Sequence, residues 1–304
     1  MTAITPRSFC NGLYFRPFRQ VLRDRFCFDH IHSIEERRTA FAEDEVLQEN
    51  IIFHGAKVTG ARESVFLSTG NGAEISTSHR VSPEEVQNDD HDAVIHLILN
   101  QGDADVRSRI DSLPCSLSDL GIQVSTGPVV DFRAKNFLRP DPSAETVPLL
   151  YPCHFNGQTV HWPKLGHKKP NAMLDDPAVK SQFLPIGHYT LVKRFTAKEE
   201  PKRVVAVVLS PDDLPLGTGN IGIENHINYF HSNRSPLLPE LAKGLYCFLN
   251  STLVDSYLRV FNGHTQVNAT DLRKLRYPNQ ATLVKLAEAC WNRQITQELI
   301  DTQI

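Results

Sequence analysis

The sequence has no stretch approaching the roughly 18 consecutive apolar residues of a membrane-spanning helix. Its amino terminus, MTAITPRSFCNG, carries neither a basic flank before an apolar run nor a small-residue cleavage site, which argues against a secretory signal. Six cysteines (Cys10, Cys27, Cys115, Cys153, Cys247, Cys290) form no Cys-x-x-Cys pair, so neither a disulfide framework nor a cysteine-rich zinc module is indicated. A reducing cytoplasm is the expected compartment. No Gly-x-Ser-x-Gly elbow, Walker loop, His-Glu-x-x-His helix, internal repeat or low-complexity tail occurs. What remains, 40% hydrophobic and 22% charged residues over 304, is the composition of a globular protein with a sizeable core.

The net charge of −3 hides an asymmetry. Residues 1–114 sum to −6 and residues 115–304 to +3, counting Lys and Arg against Asp and Glu. A polyanion would therefore meet the second part, although a mixed solvated surface reads the same way.

Along the chain, Thr2–Thr5 reads as a strand of a sheet begun before this sequence does. Phe15, Phe18, Val21, Leu22 and Phe26 recur at helical spacing and predict one amphipathic helix over 15–28. Strands are expected over 29–34 and 51–58, a hairpin about Gly70-Asn71-Gly72, and a further strand over 92–99. Asp103 is placed to begin a helix running to about Leu113. Leu241, Leu245, Phe248, Leu249, Leu253, Tyr257 and Val260 predict a single long helix over 238–261, and a last helix is expected over 281–300. The pairs Gly70-x-Gly72 and Gly217-x-Gly219 lack the strand-to-helix setting of a nucleotide cradle and read as turns. Cys153, His154, His161 and His167 match no standard metal spacing.

Four blocks carry a resemblance. These are ITPRSFCNGLYFRPFRQVLRDRFCFDHIHSIEERRTAFAEDEVLQENIIFHGAK, GIQVSTGPVVDFR, the pair YTLVKRF and GIENHINYF, and FLNSTLVDSYLRVFNGHTQVNATDLRKLRYP. In this order they resemble the later part of adenine-specific DNA methyltransferases of restriction-modification systems, the PstI/BsuBI-like group. The resemblance implies an α/β remnant of a SAM-dependent, Rossmann-like methyltransferase domain over 1–115, followed by an α+β target-recognition domain over 116–304. It implies double-stranded DNA as partner, the N6 amine of adenine as methyl acceptor, and S-adenosylmethionine as donor. The family's glycine-rich donor motif and Asn-Pro-Pro-Tyr motif have no counterpart here, there being no Pro-Pro dipeptide at all. The donor is therefore expected to be bound mainly by a missing amino-terminal half, on the same polypeptide or a separate chain, without which this one would be inactive. The alternative is a non-catalytic specificity module of a restriction-modification complex.

Within the matched blocks, Phe53 and then His54 are placed like the family strand that faces the flipped base. Phe53 reads equally as core, and strand alternation does not separate the two. Lys193, Arg194, Asn225, His226, Arg273, Lys274 and Arg276 are expected at DNA, the cations at phosphates and the amide at a base edge. His264, Thr265 and Gln266 project from the joint 262–271 as a polar cluster suited to DNA or to scaffolding. Within that joint Asn268 and Asp271 have the spacing of a capping box.

Overall fold

The computed structural model describes residues 1–34, 49–57, 63–71, 74–87, 92–196, 200–214, 219–261, 266–291, 298 and 300–301. The chain forms two compact units: Met1–Arg109 with Ser256–His264, and Ile110–Asp255 with Thr265–Ile304. Among the described residues, no helix is long and apolar enough to cross a membrane.

The first unit contains β1 (Thr2–Pro6), α1 (Arg16–Arg25), β2 (Phe26–Ile34), β3 (Asn50–Lys57), β4 (Val65–Gly70), β5 (Thr77–Val81), the short α2 (Pro83–Val86) and most of α3 (Gln101–Asp111). Its sheet runs β1-β3-β2-β4-β5, with β2 and β4 parallel and the other pairs antiparallel. One face buries Ile31, Ile51, Phe53 and Leu67 against Phe9, Leu22 and the segment carrying Ile95 and Leu97.

Three expectations need correction in this unit. The helix expected over 15–28 stops at Arg25, and residues 26–28 already belong to the strand β2. Residues 92–99 form no strand; Val94, Ile95, Leu97 and Ile98 are buried, but the backbone bonds singly, Ile95 N–H to Cys10 O (2.9 Å) and His96 N–H to Val86 O (2.7 Å). An apolar run thus reports burial and not a ladder. In α1 the inward face centres on Leu22 and Arg19, both buried, while Phe18 and Val21 stay about half exposed. Arg19 is tolerated there because its guanidinium donates to four carbonyls: Phe9 (2.9 Å), Gly12 (2.7 Å), Asp92 (2.9 Å) and Ala93 (3.2 Å).

The second unit adds β6 (Gln123–Thr126), β7 (Leu138–Arg139), β8 (Thr146–Leu150), β9 (Phe155–Asn156), β10 (Thr159–Val160), β11 (Ala172–Leu174), β12 (Phe183–Pro185), β13 (Tyr189–Lys193), β14 (Ala206–Leu209), β15 (Asn220–Ile223) and β16 (Ile227–His231). One sheet orders β12-β15-β8-β11-β7 and a second orders β14-β13-β16-β6. Only β8 and β15 pair in parallel among these strands. Helices α4 (Pro239–Leu249), α5 (Thr252–Phe261), α6 (Ala269–Lys274) and α7 (Gln280–Trp291) follow, and Ser256 onward in α5 belongs to the first unit.

The predicted long helix is therefore two. Asn250 turns its amide to Tyr246 O (2.9 Å) and Ala206 O (3.2 Å), and the Ser251 hydroxyl accepts Val254 N–H (3.2 Å), stopping one helix and starting the next. Short polar side chains that bond their own backbone favour such breaks. At α6 the Asp271 carboxylate accepts Asn268 N–H at 2.8 Å, the return arm of the expected capping box.

Candidate functional site

The carboxyl ends of the parallel pair β8 and β15 place Tyr151 and Glu224 side by side, Glu224 N–H donating to Leu150 O at 3.0 Å. Phe195 and Lys193 reach the same place from the end of β13, and His226 from the turn between β15 and β16. With Cys153, His167 and Lys169 they line a cavity of about 330 Å³. That lies at the small end of ligand sites, which run roughly 300–1,000 Å³.

Its electrostatics centre on a buried carboxylate. Glu224 is fully buried and accepts two bonds from His226, one from the backbone N–H (2.9 Å) and one from ring Nδ1 (2.5 Å). A carboxylate only accepts, so Nδ1 of this half-exposed ring carries the hydrogen. Lys169 ion-pairs with Asp131 (2.8 Å) and lies 4.9 Å from the centre of the Tyr151 ring. The Lys169 ammonium holds the Asp131 carboxyl below its ordinary range. Burial pushes the Tyr151 hydroxyl and the Cys153 thiol up, so both stay protonated. The Tyr151 hydroxyl has no hydrogen-bond partner among the described residues. Phe195 and His226 rings lie 4.8 Å apart at 38°.

Comparison with known proteins decides the kinship. No family model matches the chain. It is 45% identical to the Type II methyltransferase M.PstI of Providencia stuartii over 99% of its own length and 60% of that protein's. To M.BsuBI of Bacillus subtilis, also a Type II methyltransferase, it is 45% identical over 94% of its length and 56% of that protein's. The chain is a homologue of the PstI/BsuBI-like Type II methyltransferases. It spans less than two thirds of these relatives. Among solved structures, the Type IIL restriction-modification enzyme MmeI, determined in complex with DNA, covers the whole chain at TM-score 0.53 and 11% identity, with 46% of its own length matched. That likeness is one of α/β fold.

In this methyltransferase homologue the expected site residues of the second unit fall into separate groups. Lys193 and His226 meet at the cavity, with Asn225 between His226 and Glu224 in the turn. Arg273, exposed, borders a second cavity of about 380 Å³ with Gln123 and Ser125, and Lys274 beside it is exposed too. Three others are spent on the fold. Arg194 donates to Asn225 O (3.2 Å) and to the Gln266 side-chain oxygen (3.2 Å), which occupies Gln266 as well. Arg276 donates to Leu113 O (3.0 Å) and Pro114 O (2.5 Å). His264 and Thr265 lie outside the described residues.

In the first unit, Phe53 is 1% exposed, stacked on Phe9 and edge-on to Phe28, so its ring belongs to the core. His54, half exposed, pairs with Asp29 at 2.9 Å. The described residues do not fit S-adenosylmethionine. Gly70 closes β4 into a hairpin to β5, where a Cβ would lie 1.7 Å from Glu74 O, and no helix amino terminus follows it. Gly217 of the other glycine pair lies outside the described residues. His154 is no metal ligand either: its Nδ1 accepts Tyr151 N–H (3.0 Å) and its Nε2 therefore donates to Asn171 (3.0 Å).

Sequence reasoning missed Tyr151, Lys169, Phe195 and Glu224. One signal was present: a glutamate directly after the apolar strand residues of β15 and two before a histidine is a costly residue to bury without a role for it.

Proposed function

We propose that this chain is the DNA-engaging, carboxy-terminal part of an adenine-specific Type II methyltransferase acting in a restriction-modification system in the cytoplasm. In this reading the first unit is the later half of a Rossmann-like catalytic domain. The second is the target-recognition domain. The methyl group passes from S-adenosylmethionine to the N6 amine of adenine in double-stranded DNA, and the donor is held mainly by a SAM-binding half outside these residues, on the same polypeptide or a separate one.

The observation that carries the reading is 45% identity to M.PstI across 99% of the chain. Lys193, Asn225, His226, Arg273 and Lys274 are the residues assigned to DNA, being polar or cationic and at least partly exposed. The described residues do not fit the donor, and their part in this reading is to hold DNA.

The test combines the chain with a half bearing the donor and Asn-Pro-Pro-Tyr motifs, incubates them with duplex DNA and S-adenosylmethionine, and resolves the hydrolysed nucleosides. N6-methyladenine that requires both halves supports the reading. A methylated cytosine overturns the adenine assignment, and sequence-selective DNA binding with no methylated base favours a specificity module.

A further inference from the structure

The cavity of about 380 Å³ beside Arg273 gathers hydrogen-bond donors, and no carboxylate is among its lining residues. Arg273 reaches it from the last turn of α6, Gln123 and Ser125 from β6, the outermost strand of its sheet, and Ser116 and Ser118 from the turn before that strand. Arg273 is exposed and forms no ion pair among the described residues; its Nε donates to Val124 O at 3.3 Å. Ser116 is spent, its N–H and hydroxyl both donating to Asp119 at 2.7 Å, which occupies that carboxylate as well. Ser125 is a donor with a hydrogen to give. His231 Nδ1 accepts the backbone N–H of Arg234 (2.9 Å), so the hydrogen of the neutral ring lies on Nε2 and goes to the Ser125 hydroxyl oxygen (2.9 Å). Burial holds the His231 pKa below the ordinary value, in keeping with that neutral form. Ser125 therefore accepts from the ring and keeps its own hydrogen for a further acceptor.

We propose that this cavity binds a phosphate group, gripped by the fork of Arg273 and by the hydroxyls of Ser118 and Ser125 and the side-chain amide of Gln123. A guanidinium takes two oxygens of a phosphate or of a carboxylate equally well. A carboxylate, lying in the plane of that fork, leaves the donors of β6 and of the turn without acceptors, whereas a tetrahedral phosphate offers them its remaining oxygens. The volume admits a phosphate together with the group that carries it. His231 is a positioning residue here, acting through the Ser125 hydroxyl. The source of the phosphate is the DNA backbone, an assignment that rests on the DNA-binding reading above; a free phosphate ion is the other source of the same chemistry. A contact of this kind fixes the register of the protein on a duplex and carries no sequence information.

The test has two arms, both on the full chain. In the first, fluorescence anisotropy follows duplex DNA binding across a salt series for the parent, Arg273→Ala and Arg273→Lys. Arg273→Ala is expected to bind about tenfold more weakly at low salt, the scale of a charge-assisted contact, and to lower the slope of log K against log salt by roughly one. Arg273→Lys is expected to keep the slope and regain only part of the affinity, because an ammonium cannot reproduce the planar fork. Ser118→Ala, at an exposed position, should weaken binding severalfold with the slope unchanged, which keeps the test decisive should the arginine variants fold poorly. In the second arm, without DNA, the melting temperature is measured against inorganic phosphate and against acetate at constant ionic strength. Phosphate should raise it saturably in the parent and not in Arg273→Ala, and acetate should leave it unchanged.

Arg273→Ala that changes neither DNA binding nor the response to phosphate overturns the site and leaves the DNA-binding reading standing. Arg273→Lys equal to the parent in both slope and affinity reduces the contact to diffuse surface charge and overturns the fork. Acetate that matches phosphate overturns the choice of ligand. A phosphate response lost in Arg273→Ala, with DNA binding unaffected or absent, supports the site, assigns it to the free ion and overturns the backbone source.

Discussion

The rings of Phe9 and Phe53 stack with centroids 5.8 Å apart and an interplanar angle of 16°, inside the apolar face of the first unit's sheet. Phe28 closes on Phe53 edge-on at 5.4 Å, so three aromatic rings from the chain start, β2 and β3 share one contact region. Truncating such a buried ring removes its burial and leaves a cavity. Phe53→Ala is expected to cost about 3–5 kcal/mol of unfolding free energy. Urea unfolding followed by far-ultraviolet circular dichroism checks this, and a loss below about 1 kcal/mol would mean that the ring is not core.

How much of this was legible beforehand depends on whether the signal was local. Strands β2 and β3 stand out as apolar runs, and α3 was legible as a helix, though it starts at Gln101 with the Asn100 side chain accepting Asp103 N–H (3.0 Å) and not at Asp103. The face of α1 was misread because Arg19 is buried, a choice that only the carbonyls of Phe9, Gly12, Asp92 and Ala93 explain, and those lie on two distant segments. The break at Asn250–Ser251 was written in the sequence but outweighed by the apolar periodicity around it. The cavity was least legible, since Tyr151, Lys169, Phe195 and Glu224 come from four segments, of which the parallel pairing of β8 with β15 joins only those of Tyr151 and Glu224.

Arg19 yields a second expectation. Removing its guanidinium leaves buried carbonyls without their donors, and Arg19→Met should destabilise the first unit by about 1–3 kcal/mol for each carbonyl left unpaired. Arg19→Lys should not restore it, because one ammonium cannot reproduce the planar fork that bonds four carbonyls. Chemical denaturation of both variants beside the parent decides the matter.

Lys193 and Arg194 are neighbours in sequence with different tasks. Lys193, partly exposed in its pair with Glu200, is assigned to phosphate, so Lys193→Ala should lower the slope of log K against log salt for DNA binding by roughly one. Arg194 ties Asn225 to Gln266 inside the fold, so Arg194→Ala should lower the melting temperature and leave that slope nearer the parent's. The two variants exchanging these behaviours would reverse the assignment.

Acid sensitivity follows from His154. Burial holds its pKa below the ordinary value, and its ring bonds both Tyr151 N–H and Asn171 in the neutral form. Below about pH 6.5 the unfolded chain takes up a proton that the folded ring resists. Stability contributed by the neutral ring is thus complete above that pH and declines as pH falls through the window beneath it. His231, also lowered by burial, adds in the same direction. The urea midpoint measured from pH 8 down to about pH 5 should drop, and less steeply in His154→Gln; a parallel course for parent and variant would remove His154 from the explanation.

The central claim is that the second unit of this methyltransferase homologue engages duplex DNA through cations at its surface. Titration of the full chain with duplex DNA across a salt series tests it most directly. The account predicts binding at low salt whose log K falls linearly with log salt concentration. Absence of binding at low salt, or an affinity indifferent to salt, would contradict it.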